Sequence, residues 1–271
     1  MRRIKILFFW IFINKNNISF YELIKFLFKP KVNIIAGKFI QKITKNEDFE
    51  VTFNNIDKKL FWPSKFPISR LNQVVAESFD SKDWHYYQKK HTEINTDEII
   101  LDIGTAEGLL PVSVIDKCQH IYMIEPSKLF CNCLHKTFLN FKEKTTIFNV
   151  AVGNSDGTIN FDENSLEGMI SNENKANTQE IAINKIDTLF NKNQPITYLK
   201  ADIEGFELDM LKGAEKTIKN NKPKIAITTY HTQNNPKEII ELIKSFVPEY
   251  NYYVKGIYEQ TPKPVLIHFW I

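Results

Sequence analysis

From Ile99 to the end, the sequence alternates short apolar runs with stretches whose apolar residues recur every three or four positions, and nothing else in it restricts the fold as strongly. Ile99-Ile100-Leu101-Asp102-Ile103-Gly104 is the first run, and an apolar helix follows from about Leu109, with Pro111 tolerated in its first turn. His120 to Pro126 is the second strand. Phe130, Cys133, Leu134, Thr137, Phe138 and Phe141 then mark a one-faced helix, and Thr145 to Val152 a third strand. Ile196 to Ile203 and Lys224 to Tyr230 are the fourth and fifth. Met210, Leu211, Ala214 and Ile218 face inward on the helix between them, and another helix spans about 237–246. Such alternation means a parallel sheet with helices on both faces. Tyr250–Tyr258 and Val265–Ile271 are separated by a Pro-containing turn with no helix, so they should pair antiparallel. The expected fold is α/β: a doubly wound, mostly parallel Rossmann-like sheet with an antiparallel C-terminal edge pair, preceded by a helical N-terminal extension.

Residues 98–271 would form this domain, 46–97 a helical and aromatic extension on its substrate side, and 1–45 a basic, apolar arm. In the extension, Leu60-Phe61-Trp62-Pro63 and Phe66-Pro67 read as extended chain, because a residue before proline avoids the helical region. Ser69 to Phe79 reads as a helix. Residues 1–42 hold nine Lys and Arg against Glu22 alone, a net of +8. With +3 on the whole chain, the other 229 residues carry −5. A slightly acidic body argues against gripping a nucleic acid backbone. The run Ile6 to Ile13 falls far short of the roughly 20 residues that span a bilayer. Asn14-Lys15-Asn16-Asn17 stands where a secretory signal would need small residues. Basic, aromatic and amphipathic together, residues 1–30 read equally as a membrane-surface contact and as helices packed on the domain or on a second copy in a homo-oligomer. Three cysteines, an odd and small number, point to a reducing compartment, so the protein is expected in the cytoplasm, peripheral on the inner face of the membrane where the arm is a membrane-surface contact.

The turn after the first strand reads Asp102-Ile103-Gly104-Thr105-Ala106-Glu107-Gly108. A glycine there lets the backbone approach a nucleotide closely. Asp102 would repel a pyrophosphate but suits an ammonium or sulfonium ligand, which favours S-adenosylmethionine over a nicotinamide dinucleotide. Glu125 ends the second strand, where a carboxylate takes the ribose hydroxyls in nucleotide-binding sheets. The turn Val150-Ala151-Val152-Gly153 would border the adenine. After the fourth strand, Asp202 and Glu204 should share a face by strand alternation. They would orient the substrate, accept a proton or hold a divalent ion, and at least one is expected to cap the following helix. His231, at the end of the neighbouring fifth strand, would come near both as a general base with a near-neutral pKa. Trp84, Tyr86 and Tyr87 would shape the acceptor side. The polar stretch Asp162–Glu180 reads as a lid or as disorder. No G-x-S-x-G elbow and no P-loop occurs, which removes serine hydrolases and P-loop enzymes.

Together, Asp102-Ile-Gly-Thr-Ala-Glu-Gly, Ile124-Glu125-Pro126, Ala151-Val152-Gly153-Asn154-x-Asp156-Gly157, Ile186-Asp187-Thr188-Leu189, Leu199-Lys200-x-Asp202-Ile203-Glu204-Gly205-x-Glu207 and Leu211-Lys212-Gly213-Ala214 resemble the FkbM-type methyltransferases, over about 98–231 and onward. The resemblance implies a class I methyltransferase sheet and an S-adenosylmethionine-dependent O-methyltransferase, usually acting on a sugar or polyketide-type hydroxyl. It places Asp102, Gly104 and Gly108 at the methionine end and Glu125 at the ribose. Thr105, Ala106, Glu107, Pro126, Val150, Ala151 and Asp202 complete the expected cofactor contacts. Where family members commonly have a second small-residue turn or Asn, this chain has Thr105-Ala106-Glu107. The basic arm fits a carbohydrate or glycolipid acceptor in surface-glycan assembly. Rival readings are a nicotinamide oxidoreductase and an inactive methyltransferase-fold scaffold at a membrane.

Overall fold

In the computed structural model, which describes residues 2–163, 169–171, 178–190, 194–231, 235–260 and 263–271, the arm folds as α1 (Arg2–Phe12), α2 (Phe20–Leu27) and α3 (Val32–Ala36). Ser19 starts α2 with a capping box: its hydroxyl accepts from Glu22 N–H while the Glu22 carboxylate accepts from Ser19 N–H. One face of the arm is core. Ile6, Phe9, Ile18 and Leu23 are buried in the same apolar cluster as Leu71, Val75, Leu134 and Tyr198 of the body.

The segment expected to be a helical and aromatic extension begins instead as a three-stranded antiparallel meander. It consists of β1 (Ile40–Lys45), β2 (Phe49–Phe53) and β3 (Lys59–Trp62), followed by α4 (Ile68–Phe79). The meander straddles the boundary drawn at residue 45. Val51 and Phe53 on β2 and Leu60 and Trp62 on β3 are buried two apart, the period of a strand, but each run has only two such residues and β1 has none.

The main domain runs β4 (Ile99–Ile103), α5 (Leu109–Val114), β5 (His120–Ile124), α6 (Lys128–Thr137) and β6 (Thr145–Phe148). A side sheet follows: β7 (Ala151–Val152), β8 (Gly157–Asp162), β9 (Met169–Ser171) and β10 (Gln179–Asn184), in the order β7-β10-β8-β9. The chain then returns through α7 (Ile186–Leu189), β11 (Tyr198–Ala201), α8 (Glu207–Lys212), α9 (Glu215–Asn221), β12 (Lys224–Thr228), α10 (Pro236–Phe246), β13 (Asn251–Lys255) and β14 (Leu266–Trp270). The seven-stranded sheet has the order β13-β14-β12-β11-β4-β5-β6, parallel from β6 to β12, with β14 antiparallel to both β12 and β13. The expected doubly wound sheet and antiparallel edge are therefore both present.

Three local expectations change. The third strand breaks after Phe148, and Ala151–Val152 leaves the main sheet to pair with β10. The polar stretch 162–180 contributes β9 and the start of β10 to the side sheet, while 164–168 and 172–177 lie outside the described residues. The fourth strand ends at Ala201, before Asp202.

Strand order turns back on itself between β4 and β11, and the crevice at such a switch point, outside the carboxyl ends of the strands, is where α/β sheets bind ligands. Alternation along β4 and β11 sends Leu101, Ile103, Leu199 and Ala201 into the core under α8, α9 and α10. Ile100, Asp102, Tyr198 and Lys200 go to the other face.

Candidate active site

A cleft of about 680 Å³, counting the space open to solvent, lies at that switch point. Its walls include Gly104 and Ala106 after β4, Glu125 and Pro126 after β5, Val150 and Ala151 after β6, and Asp202, Glu204 and Phe206 after β11. Asp102, Thr105, Glu107 and Gly108 are not on the wall; they stand behind it.

Gly104 has φ of +69°, and a Cβ there would lie 1.9 Å from the Asp202 carbonyl oxygen. Only glycine allows the β4 and β11 ends to come so close. Gly108 serves packing: with φ of +86° it caps α5, and a Cβ would press on Leu134 and Phe138 of the neighbouring α6 segment.

Behind the wall is an acidic cluster with one cation. Parallel register sets Lys200 opposite Asp102, and the Lys200 Nζ lies 3.0 Å from Asp102 Oδ1 while donating to the Gly104 carbonyl at 2.6 Å. Burial works against the Lys200 charge, but Asp102 and Asp202 outweigh it and hold its pKa above the ordinary value. Burial pushes Asp102 upward, Glu107 to about 8 and Glu125 to about 7. Glu125 accepts from the backbone amides of Ala106 and Ser127, each at 2.8 Å, which fixes its carboxylate at the cleft wall with lone pairs to spare. At neutral pH Glu107 keeps its proton and Glu125 is about half ionised, so these carboxyl groups only slightly outweigh the one ammonium, a balance that suits a cationic ligand better than a pyrophosphate. Together with the bare backbone at Gly104, they fit the sulfonium, amino group and ribose of S-adenosylmethionine.

The second cluster lies on the other side of Gly104. Asp202 accepts from the Tyr87 hydroxyl at 2.7 Å, and the Thr228 hydroxyl lies within reach of both Asp202 Oδ1 (3.1 Å) and Glu207 Oε1 (3.0 Å). His231 Nδ1 is 3.0 Å from Glu207 Oε1. Its Nε2 is 3.1 Å from Glu204 Oε2, off the line of a hydrogen bond, and 3.7 Å from Asp202 Oδ1. The structure thus brings Asp202, Glu204 and His231 together as expected, but by another route. Strand alternation does not align the two acids; Glu204 turns back on a left-handed residue, φ +55°. Neither acid caps α8, whose cap residue Phe206 accepts no side-chain bond. Instead, the Glu207 carboxylate takes the Ile203 amide at 3.1 Å.

The near-neutral imidazole expected of His231 is also corrected. Burial disfavours its charge, but Glu204, Glu207 and Asp202 together outweigh that and raise its pKa to about 10. In this state it is an imidazolium and has no lone pair to offer as a base. Glu204, the most open of the three acids with 40% of its side chain exposed, faces the cleft.

Three residues of this site carried no expected role. Lys200 and Glu207 stood inside the quoted motifs, and only the cross-strand register and the β12 contact reveal their partners. Thr228 gave no signal, since a threonine at a strand end is common. Of the three aromatics, Tyr87 reaches the site. Trp84 is stacked on Phe26 of α2 at 4.3 Å and belongs to the arm contact, and Tyr86 lies beside Lys89.

Residues 102–254 match the sequence profile of the methyltransferase FkbM domain, more than half of the chain. The chain belongs to the FkbM methyltransferase family. Among solved structures, it is similar to the methyltransferase FkbM from Methylobacillus flagellatus KT, with a TM-score of 0.53 and 20% identity, over 73% of this chain and 54% of that one. This chain therefore spans about half the length of that protein, and the likeness shows the fold. Weaker similarity extends to a precorrin-6y C5,15-methyltransferase from Geobacter metallireducens (TM-score 0.40, 10% identity, 67% and 85% covered). An rRNA methylase from Streptococcus thermophilus stands at a similar level (0.39, 12%, 65% and 88%). A comparison with curated proteins finds no significant match. Membership of the FkbM methyltransferase family implies methyl transfer from S-adenosylmethionine, which counts against the nicotinamide reading. Among the described residues no helix is long and apolar enough to cross a membrane.

Proposed function

We propose that the protein is an O-methyltransferase acting on a sugar hydroxyl of a surface-glycan or glycolipid precursor. The observation that carries this reading is that Asp202 and Glu204 line the cleft while His231 and the buried Glu207 converge on them from behind. A sugar hydroxyl is a weak acid, so it needs a proton acceptor as its oxygen attacks, and a purely apolar mouth would offer none. S-adenosylmethionine supplies a methyl group already activated on sulfur. Glu125 would hold its ribose, and the acids behind Gly104 would balance its positive charge. Glu204 would take the hydroxyl proton. His231 would position Glu204 from one side, and Asp202, fixed by Tyr87, would orient the acceptor. Alignment matters at least as much, since positioning alone supplies effective molarities of about 10⁵ M or more. An aromatic group lies next to His231: Tyr230 stacks on Tyr258 at 4.2 Å and meets the His85 ring at 5.1 Å. Such flat faces suit the apolar face of a sugar ring.

The test has two stages. Calorimetry should give micromolar binding of S-adenosylmethionine and S-adenosylhomocysteine, none of NAD, and loss of both in Asp102→Ala. Labelled methyl should then pass to members of a panel of free and lipid-linked sugars. Cofactor binding with no transfer to any sugar would refute the acceptor class, and with no transfer to any acceptor it would favour a scaffold.

A second reading rests on one further observation. Asp202, Glu207 and His231 offer ligand atoms that all lie within 4.8 Å of one another, a donor set that suits a divalent cation once the imidazole is neutral. A cation held there would lower the pKa of the acceptor hydroxyl. If this reading holds, chelation abolishes transfer and added Mg²⁺ or Mn²⁺ restores it; full activity after chelation removes it.

A further inference from the structure

The arm has two apolar faces, and the body covers only one. On α1, Ile6 and Phe9 are buried, whereas Ile4, Phe8, Ile11 and Phe12, spaced four, three and one apart on the opposite side, are each more than half exposed. On α2, Leu23 is buried while Phe20, Tyr21 and the following Phe28 stand 64%, 67% and 80% exposed. Of the thirteen large apolar side chains exposed among the described residues, ten lie between Ile4 and Ile34. A soluble surface normally scatters such groups singly, and clustering of this kind marks a contact surface.

Charge indicates which contact. Lys5, Lys15, Lys25 and Lys31 are exposed around the patch. Lys15 lies over the Trp10 ring at 4.8 Å and Lys25 over the Tyr21 ring at 4.0 Å, so ammonium groups ride beside the aromatic ones. Glu22, the one acid of the first 42 residues, is neutralised by Lys255 of the body. A second copy of this chain would set this net positive face against the same positive face. An anionic bilayer offers negative headgroups at its surface and hydrocarbon just below.

The arm is also held rigidly. Arg3 donates to the carbonyls of Leu27 and Lys29, at 2.7 and 2.8 Å, tying α1 to α2. Trp10 donates to the Ile18 carbonyl, and Asn16 donates to the Gly256 carbonyl of the body at 3.0 Å. A chain of contacts also links the arm to the site. Lys29 pairs with Asp83, Asp83 faces His85, and His85 meets Tyr230 next to His231.

We infer that α1 and α2 form a docking face for an anionic lipid bilayer, inserting Phe8, Phe12, Phe20 and Phe28 among the headgroups and presenting the acceptor side of the cleft to lipid-borne substrate. The docking stands on the arm alone; only the choice of a lipid-borne substrate rests on the sugar-methylation reading. The full chain should sediment with phosphatidylcholine vesicles containing phosphatidylglycerol, and partitioning should fall about tenfold or more at high salt. Phe8→Asp with Phe12→Asp should lower partitioning at least ~30-fold, with S-adenosylhomocysteine affinity and thermal midpoint unchanged because both rings are outside the core. Lys5→Glu with Lys25→Glu should reduce binding to anionic vesicles and leave binding to neutral ones as it was. The docking is overturned if the wild type stays in solution with both vesicle types, or if the Phe8/Phe12 variant binds as the wild type does. Dimers that this variant dissolves, in a protein that ignores vesicles, would equally overturn it and assign the face to a second copy. Transfer to soluble sugars reads the acceptor class separately: vesicle binding without sugar transfer sinks only the acceptor class, and the reverse sinks only the docking.

Discussion

Two acidic clusters flank Gly104, and each is built around one basic side chain. Behind the cofactor wall the base is Lys200, facing Asp102 across paired strands and closed off from solvent. At the cleft mouth it is His231, ringed by Asp202, Glu204 and Glu207, with Glu204 open to the cleft. The contrast separates two uses of buried charge. A lysine locked against an aspartate is a permanent fixture that shapes the field behind the cleft wall. An imidazolium among three carboxylates can give up its proton or be replaced by a metal ion, and its partners can exchange protons with a substrate.

The largest effect should fall at the open cluster. Glu204→Gln should lower kcat by roughly 10²- to 10⁴-fold, the usual scale for losing a general base, with S-adenosylhomocysteine affinity within a few-fold of wild type. An equal loss of affinity would place Glu204 in cofactor binding instead. Next comes the closed cluster. Lys200→Met leaves Asp102 buried and unpaired, which should cost about 3–5 kcal/mol of stability in a denaturant titration. Adding Asp102→Asn should recover most of that stability without recovering cofactor affinity. If the double variant stays as unstable as the single one, Lys200 acts through its bonds to the β4 carbonyls and not through the aspartate.

Tyr87→Phe removes the hydroxyl that holds Asp202 and should cost about 1.5–3 kcal/mol, the usual worth of a hydrogen bond to a charged group. It should appear as lower kcat with little change in cofactor affinity. A pH dependence is expected at Glu125, whose pKa is raised to about 7 in the folded protein. Below about pH 4.5 both folded and unfolded forms hold the proton. Between there and pH 7 the unfolded form ionises first, so stability of the ligand-free protein falls as pH rises through that window and levels off above it. Glu107, raised to about 8, extends the decline. Ribose hydroxyls donating to an ionised Glu125 should expel its proton. Calorimetry at pH 6.5 in buffers of different ionisation heat should therefore record net proton release on S-adenosylhomocysteine binding, and no release would remove Glu125 from the ribose site.

Much of this was legible in the chain, because strand-helix alternation, a glycine turn after an apolar run and an acid ending the next strand are local patterns with local causes. Asp202, Glu204 and His231 could be brought to one edge simply by counting neighbouring parallel strands. Lys200 could not be matched to Asp102 without the register between β4 and β11. The ring of acids that keeps His231 charged also needed Glu207, placed by the turn after β11. The meander at 40–62 escaped because its alternation is only two buried residues long on β2 and on β3 and missing on β1.

The sequence by itself determined the sheet, its antiparallel edge, the family and the basic character of the arm, since each is written in periodicity, ordered motifs or composition. Only the tertiary structure decided which carboxylates face the cleft, which cation neutralises each cluster and which apolar face of the arm is left uncovered. Burial, charge pairing and protonation depend on distances between segments far apart in the chain, and no local pattern encodes those distances.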